Sequence, residues 1–208
     1  SGAFFMEIYD TNTVSSQEVQ FSIAYGHRNG SGSLDFTNQA GSVGFSAAKS
    51  VYNQYRNLVY GGDETQNFTF DGHTPDHIYV VNINRARYKN AIRMGNLEFN
   101  LSGSGANHKT LHLTDDSVTT SGSANAIRAG VGREFNIVSG SAGERLGDSN
   151  TFVTDKGSYG YVYPDAGFII LNGEALDAAN ADGGINLNTG VTANSSSQNP
   201  IKLQEAFK

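Results

Sequence analysis

One stretch decides the fold of this 208-residue chain: Ile78-Tyr79-Val80-Val81-Asn82-Ile83-Asn84-Arg85-Ala86-Arg87-Tyr88-Lys89. Its first half is apolar at successive positions, and a strand that is apolar on both faces suits a place between two packed layers. Its second half is cationic and aromatic. We therefore predict a central strand that continues into a basic segment.

Short alternating segments flank this stretch on both sides, separated by Gly-rich turns. They are Val19–Tyr25, Phe68–Phe70, Leu97–Leu101, Leu111–Leu113, Phe135–Ile137, Tyr159–Tyr163 and Phe168–Leu171. One amphipathic helix is predicted from about residue 46 to 60, with Ser46 as its N-cap and Gly61 as its stop. The pattern predicts a mainly β fold, an antiparallel sandwich or barrel-like domain, with one packed helix.

The chain divides into two parts by composition. Residues 1–172 hold all the predicted strands and the helix, and so form a β-rich domain. Residues 173–208 form an extended arm and the start of a C-terminal helix, Ile201–Phe207. Gly26–Gly44 and Gly173–Gln198 are the two long Gly/Asn-rich loops or arms. The first residue is Ser1, and the last helix has no cap, so we expect the natural chain to extend beyond both ends.

Composition argues against several classes of function. The net charge is −6, whereas nucleic-acid binding requires a concentrated basic face. The chain has no cysteine, which removes disulfides, thiolate nucleophiles and cysteine-ligated metals. Apolar runs such as Phe168–Leu171 are far too short to span a bilayer. We expect no nucleic-acid partner and no membrane association.

Four groups of potential metal ligands occur in the sequence: His73 and His77, His108 and His112, Asp63-Glu64, and Asp115-Asp116. The histidine spacing would suit zinc only on a helix, and these residues lie in predicted turns or strands. The acidic pairs lie in predicted loops and lack the alternating pattern typical of calcium loops. We predict no metal and no cofactor, and we expect the histidines to be solvated or to cap turns.

Catalysis has no local signature in this chain. No serine lies in a Gly-x-Ser-x-Gly elbow, and no Walker or dinucleotide motif appears. A polysaccharide or cell-wall hydrolase stays an alternative, because its two carboxylates can come from distant strands. A carbohydrate- or receptor-binding module is a second alternative, with Tyr159, Tyr161 and Tyr163 as a stacking face. Half-buried strand packing is the favoured interpretation of these tyrosines, and we predict no catalytic residues.

The basic segment is the candidate interface. If the strand continued, Arg85 and Arg87 would lie on one of its faces and Tyr88 on the other. Arg and Tyr are enriched at protein interfaces because each combines a large contact area with directed polar groups. Pairing with acidic loops, within or between molecules, is favoured over binding to nucleic acid.

Several segments together resemble a known family. They are Val51–Leu58, Ile78–Lys89, Leu111–Ser117, Phe135–Ser141 and Tyr163–Asn172. In this order they are similar to uncharacterised virion structural proteins of T4-like contractile-tailed phages, particularly those of marine cyanobacteria. None of the segments is a catalytic motif, so the family provides no site residues to transfer.

The resemblance implies a non-enzymatic structural subunit of a tailed-phage virion, assembled in the host cytoplasm, and most plausibly part of the tail or baseplate. A capsid decoration or neck protein is the alternative within the virion. The expected partners are other virion proteins and copies of the chain itself, which would contact strand edges and the two arms.

Overall fold

In the computed structural model, residues 5–32, 46–103, 110–146, 155–187 and 199–207 are described. Within these ranges the strands are β1 (Phe5–Tyr9), β2 (Val19–His27), β3 (His77–Ile83), β4 (Glu98–Ser102), β5 (Thr110–Asp115), β6 (Ala126–Arg128), β7 (Gly132–Ser141), β8 (Glu144–Arg145), β9 (Gly160–Tyr163) and β10 (Phe168–Asn172). The helices are α1 (Ala47–Tyr60), α2 (Gly173–Asp177) and α3 (Asn199–Ala206), with 3-10 turns at Arg85–Arg87 and Asn180–Asp182.

The strands form one antiparallel sheet that curls into a half-barrel. Its order is β1-β2-β3-β10-β9-β7-β5-β4, and the short strands β6 and β8 pair with β7. The prediction of a mainly β fold with a packed helix is confirmed. β3 lies inside the sheet between β2 and β10, as its sequence predicts.

The sheet is covered on both faces by apolar clusters. Tyr79 and Val81 of β3 belong to one cluster, which we call the first core. Ile78 and Val80 belong to the other, the second core. The residues of β10 alternate in the same way between the two cores. This double burial is the reason β3 and β10 are apolar at successive positions.

α1 contributes to the second core and begins as predicted. Ser46 Oγ accepts a hydrogen bond from Lys49 N (3.2 Å), and Gly61 ends the helix at φ 72°. The side chains of its residues Tyr52 and Val59 are buried. Leu58, which the sequence pattern places on the same apolar face of the helix, is 43% exposed. A Cβ at Gly26 of β2 would lie 2.9 Å from Tyr52 N, so glycine permits this close approach of helix and strand.

α3 lies between the two ends of the curled sheet. Leu203 and Ala206 are buried in the first core. Phe207 forms a bridge with Leu101 of β4, and its ring centroid lies 5.9 Å from that of Phe99 and 5.6 Å from that of Phe21 in β2. The predicted C-terminal helix is therefore present, and it packs across the gap between β2 and β4.

The prediction of an extended arm after residue 172 is wrong over residues 173–187. Asn172 caps α2 by accepting a hydrogen bond from Ala175 N, and Leu176, Ile185 and Leu187 enter the first core. Ile185 N and Leu187 N both donate to Leu176 O, which folds the segment back onto α2. Residues 33–44 and 188–198, the remainder of the two predicted arms, lie outside the described residues.

Candidate functional site

Within the described part of the chain, the edge of the sheet formed by β1 is open. β1 stands at the end of the strand order and pairs only with β2 among the described strands. An antiparallel strand directs half of its backbone N–H and C=O groups to each side, so the outward groups of β1 meet no described strand. Met6 and Ile8 pack against the first core, while Phe5 and Tyr9 are each 39% exposed. Such an edge is a template for pairing with another strand.

The exposed face of β1 has a simple layout. Phe5, Glu7 and Tyr9 alternate along the strand, so an aromatic ring lies on each side of one carboxylate. The Tyr9 hydroxyl donates to Glu7 Oε2 (2.5 Å), and this bond is the main cause of the raised pKa of Tyr9. Exposed aromatic area with a few directed polar groups is typical of protein interfaces.

The basic segment does not continue the strand as predicted. β3 ends at Ile83, and Arg85–Arg87 form a 3-10 turn, so the placement of Arg85 and Arg87 on one strand face is wrong. Asn84 causes the change. Its side chain accepts from Ala86 N (3.0 Å) and donates to Val19 O (2.8 Å), which caps the turn and fastens it to β2.

The three candidate interface residues nevertheless come together. Arg85 Nη1 donates to Tyr88 O (2.7 Å), and its guanidinium carbon lies 4.5 Å from the centre of the Tyr88 ring. Arg87 forms an ion pair with Glu18. The Tyr88 hydroxyl donates to Ala166 O (3.2 Å). These contacts lie within one chain, and a docking role for the three residues remains a prediction.

The basic segment adjoins the open edge through Glu18. Asp10, directly after β1, donates its backbone N–H to Glu18 O (3.1 Å) and accepts from Glu18 N through Oδ1 (2.8 Å). Arg87 pairs with the side chain of the same Glu18. The basic segment Arg85–Tyr88 and the β1 edge are therefore connected through Glu18.

The histidines singled out in the sequence contact acids of α2. His73 Nε2 lies 2.7 Å from Glu174 Oε2, and His77 Nε2 lies 3.0 Å from Asp177 Oδ2. Burial raises the pKa of Glu174, but hydrogen bonds from Asp76 N and His73 outweigh it and leave that pKa below its ordinary value. Within the described ranges, which exclude His108, no group of three or more potential ligands could hold a metal.

His27 stacks on His77 at the end of β2. The ring centroids are 6.3 Å apart and the rings are nearly parallel, at 10°. His27 Nδ1 accepts a hydrogen bond from Asn29 N (3.0 Å), which requires an unprotonated nitrogen. Burial, followed by the neighbouring His77, lowers the pKa of His27. The hydrogen bond from Asn29 and the burial of the ring therefore both favour the neutral form of His27.

The acidic pair Asp115-Asp116 is not an exposed loop pair, which corrects the sequence interpretation. Asp115 ends β5, and the two residues are 0% and 7% exposed. Asp115 accepts hydrogen bonds from Gly95 N (2.8 Å) and Ser117 N (3.0 Å). These bonds offset the free-energy cost of removing the carboxyl group from water. Burial raises the pKa of Asp116, although bonds from Asn136 oppose the shift.

Tyr159, Tyr161 and Tyr163 form no open stacking face. They are 0%, 6% and 0% exposed, so packing, the favoured interpretation, is confirmed. Tyr159 lies in the first core, and the other two lie in the second. The carbohydrate-binding alternative therefore cannot rest on these three rings.

A buried ion pair lies beneath the β6–β7 hairpin. The Glu134 side chain is fully buried, and Arg128 donates to it through Nε (2.9 Å) and Nη2 (3.1 Å). Asn125 Nδ2 (2.7 Å) and the Tyr163 hydroxyl (2.9 Å) complete its partners. The bonds to Glu134 raise the pKa of Arg128. The network is satisfied, and it links β6, β7 and β9.

Comparison with protein-family models, curated proteins and solved structures finds no match to this chain. Among the described residues, no helix combines the length and the apolar character that crossing a membrane would need.

The sequence predictions do not include the open edge, although the sequence contains a pattern typical of the strand that forms it. Phe5, Ile8 and Tyr9 lie in a short apolar stretch close to the start of the chain, a pattern consistent with a strand. Nothing in that stretch indicates that its strand would lie at the end of the sheet. Strand order depends on distant pairings, such as that of β2 with β3.

Proposed function

We propose that this protein is a non-enzymatic structural subunit of a tailed-phage virion, in the tail or baseplate, which assembles through protein–protein contacts. The observation that supports assembly is the β1 edge, which pairs with no second strand among the described residues, with its half-exposed Phe5 and Tyr9. The resemblance of the sequence segments supports the virion as the place of assembly. A capsid decoration or neck protein would use the same edge.

A strand from a neighbouring copy is the proposed occupant of this edge. Virion structural proteins of this kind are expected in multiple copies, and symmetric assembly lets one edge serve every subunit. The main-chain groups of the added strand would pair with β1, while its side chains would contact Phe5 and Tyr9. The opposite edge of the sheet is formed by β4, and there Phe207 of the same chain already forms a bridge with Leu101. We therefore place the neighbouring strand at β1.

The basic segment would then act at the rim of the interface. The Arg87–Glu18 pair is substantially exposed, with 35% and 67% of the side chains accessible. Such pairs contribute about 0–1 kcal/mol to folding. Charge reversal at Arg85 and Arg87 should therefore leave the chain folded and weaken its association. Unfolding of that variant would instead assign the arginines a role within the chain.

Sedimentation velocity over a wide concentration range tests the proposed edge. The unaltered chain should self-associate, and Phe5→Lys or Tyr9→Lys should abolish association without unfolding, because edge lysines oppose strand addition. Val14→Lys is the matched control, since Val14 is 82% exposed and lies in the connection after β1. A chain that stays monomeric at every concentration, or edge variants that associate like the control, would contradict the proposal.

A further inference from the structure

A polar cleft lies on the second-core face of the sheet, beyond the apolar cluster. Its volume is about 510 Å³, within the size range of small-molecule sites. Asn136 of β7 and Tyr161 of β9 line it from the sheet, and Asp71 and Asp116 line it from two surrounding segments. Its lining carries mostly hydroxyl, amide and carboxylate groups, unlike the apolar clusters beside it.

The turn that carries Asp71 is held rigidly against the sheet. Asp71 and Gly72 have φ values of 48° and 84°, the paired positive values of a tight hairpin turn. Phe70 and His73 close the turn with reciprocal backbone bonds of 2.7 and 3.0 Å. The Phe70 ring stacks on Tyr161 at 4.8 Å, and the Tyr161 hydroxyl donates to the backbone next to Phe70. The backbone at Asp71 is thereby held in place without a ligand, and its exposed side chain lies at the cleft.

Asp116 and Asn136, which both line the cleft, are joined by two hydrogen bonds. Asp116 Oδ1 accepts from Asn136 N (3.1 Å), and Oδ2 accepts from Asn136 Nδ2 (2.7 Å). These bonds fix the orientation of both side chains and leave Asn136 Oδ1 unengaged by them. Sugar hydroxyls both donate and accept, so fixed carboxylate and amide groups are suitable partners for them.

Ser158 provides an independent sign of a missing partner. It lines the cleft and is only 3% exposed, and its Oγ is buried with no hydrogen-bond partner within the described part of the chain. Buried hydroxyls are normally paired because leaving one unpaired is costly. Since the Oγ has almost no accessible surface, a ligand hydroxyl in the cleft would supply the partner after the Ser158 side chain turns toward it.

The balance of charge indicates the chemical class of the ligand. Among the described lining residues, Asp71 and Asp116 place two carboxylates at the cleft, and Arg145 provides one cation. This excess of negative charge disfavours phosphates and acidic sugars, and the many hydroxyl, amide and carboxylate side chains of the lining favour a ligand that can form hydrogen bonds. A neutral compound with many hydroxyl groups fits both conditions.

We propose that this cleft binds a neutral saccharide through Asp71, Asp116, Asn136 and Ser158. The site is separate from the β1 edge, and a subunit of an assembly could carry both. The hydrolase alternative would likewise need two carboxylates at one cleft. However, both oxygens of Asp116 already accept bonds from Asn136, an arrangement that favours holding a sugar over donating a proton to it.

The test is an array of neutral oligosaccharides probed with the full chain, with each hit measured by titration calorimetry. Ser158→Ala and Asp71→Asn should each weaken binding about tenfold, the loss of one directed hydrogen bond. Ser158→Ala should not lower the unfolding midpoint, since it removes an unpaired buried hydroxyl. Ser22→Ala, a buried serine of β2, is the matched control and should bind normally.

Three results would overturn the proposal. The first is that no neutral saccharide binds at millimolar concentration in ligand-observed NMR, while circular dichroism shows a folded chain. The second is that binding occurs but is unchanged in both cleft variants, or is stronger for acidic sugars. The third is that reducing ends are released, which would make the cleft hydrolytic. Failure of strand pairing at β1 would affect none of these measurements.

Discussion

Removal of Arg128 should destabilise the fold far more than removal of the neighbouring Arg133. Among the described residues, Arg128 alone forms an ion pair with Glu134, to which it donates two hydrogen bonds, and the Glu134 side chain is 0% exposed. Breaking a buried ion pair from one side costs about 3–5 kcal/mol. Arg128 itself is 30% exposed, so we place Arg128→Met at the low end, about 3 kcal/mol.

Arg133 provides a close control. It also forms a two-pronged ion pair, with Asp165 at 3.1 and 2.6 Å, but the two side chains are 47% and 36% exposed. Arg133→Met should therefore cost at most about 1 kcal/mol. The two ion pairs differ mainly in how deeply they are buried, since the residue type, the neighbouring strand and the pattern of hydrogen bonds are similar.

Urea unfolding followed by circular dichroism measures the free energy of each variant. The double variant Arg128→Met with Glu134→Gln should recover most of the loss, because no unpaired charge then remains buried and the amide oxygen of Gln still accepts from Tyr163 and Asn125. Equal destabilisation by Arg128→Met and Arg133→Met would refute the reasoning. So would a double variant less stable than Arg128→Met alone.

Three further predictions concern helix capping, sheet closure and pH. Ser46→Ala should lower the free energy of unfolding by about 1 kcal/mol, measured by urea titration, because it removes the N-cap of α1. Phe207→Ala should speed amide exchange in α3, since it removes the ring contacts to β2 and β4. The folded-state pKa of His27 lies below its ordinary 6.5, so stability should fall as pH drops from 6.5 through the folded value. His27→Asn should flatten that dependence.

The central strand and both principal helices could be predicted because their signals are local. Successive apolar residues from Ile78 to Val81 indicate burial on two faces of the strand, and in β3 all four side chains are buried. Ser46 and Gly61 mark the ends of α1 by their own conformations. The helix near the C-terminus follows from Asn199 and Pro200 at its start.

Features that depend on distant contacts could not be predicted. The end of β3 is decided by Asn84, whose side chain bonds to Val19 O on another strand. The segment after Gly173 has the composition of a loop, but Leu176 and Ile185 find places in the first core. The cleft likewise depends on the pairing of Asp116, which directly follows β5, with Asn136 of β7.

Amide hydrogen exchange of β1 tests the proposed assembly most directly. Exchange is measured at concentrations below and above that of association, for the peptides that contain Phe5–Tyr9 and Glu98–Ser102. The backbone amides of β1 should exchange more slowly in the associated state, while those of β4 should not change. Exchange of β1 at the same rate in both states would contradict strand pairing at this edge.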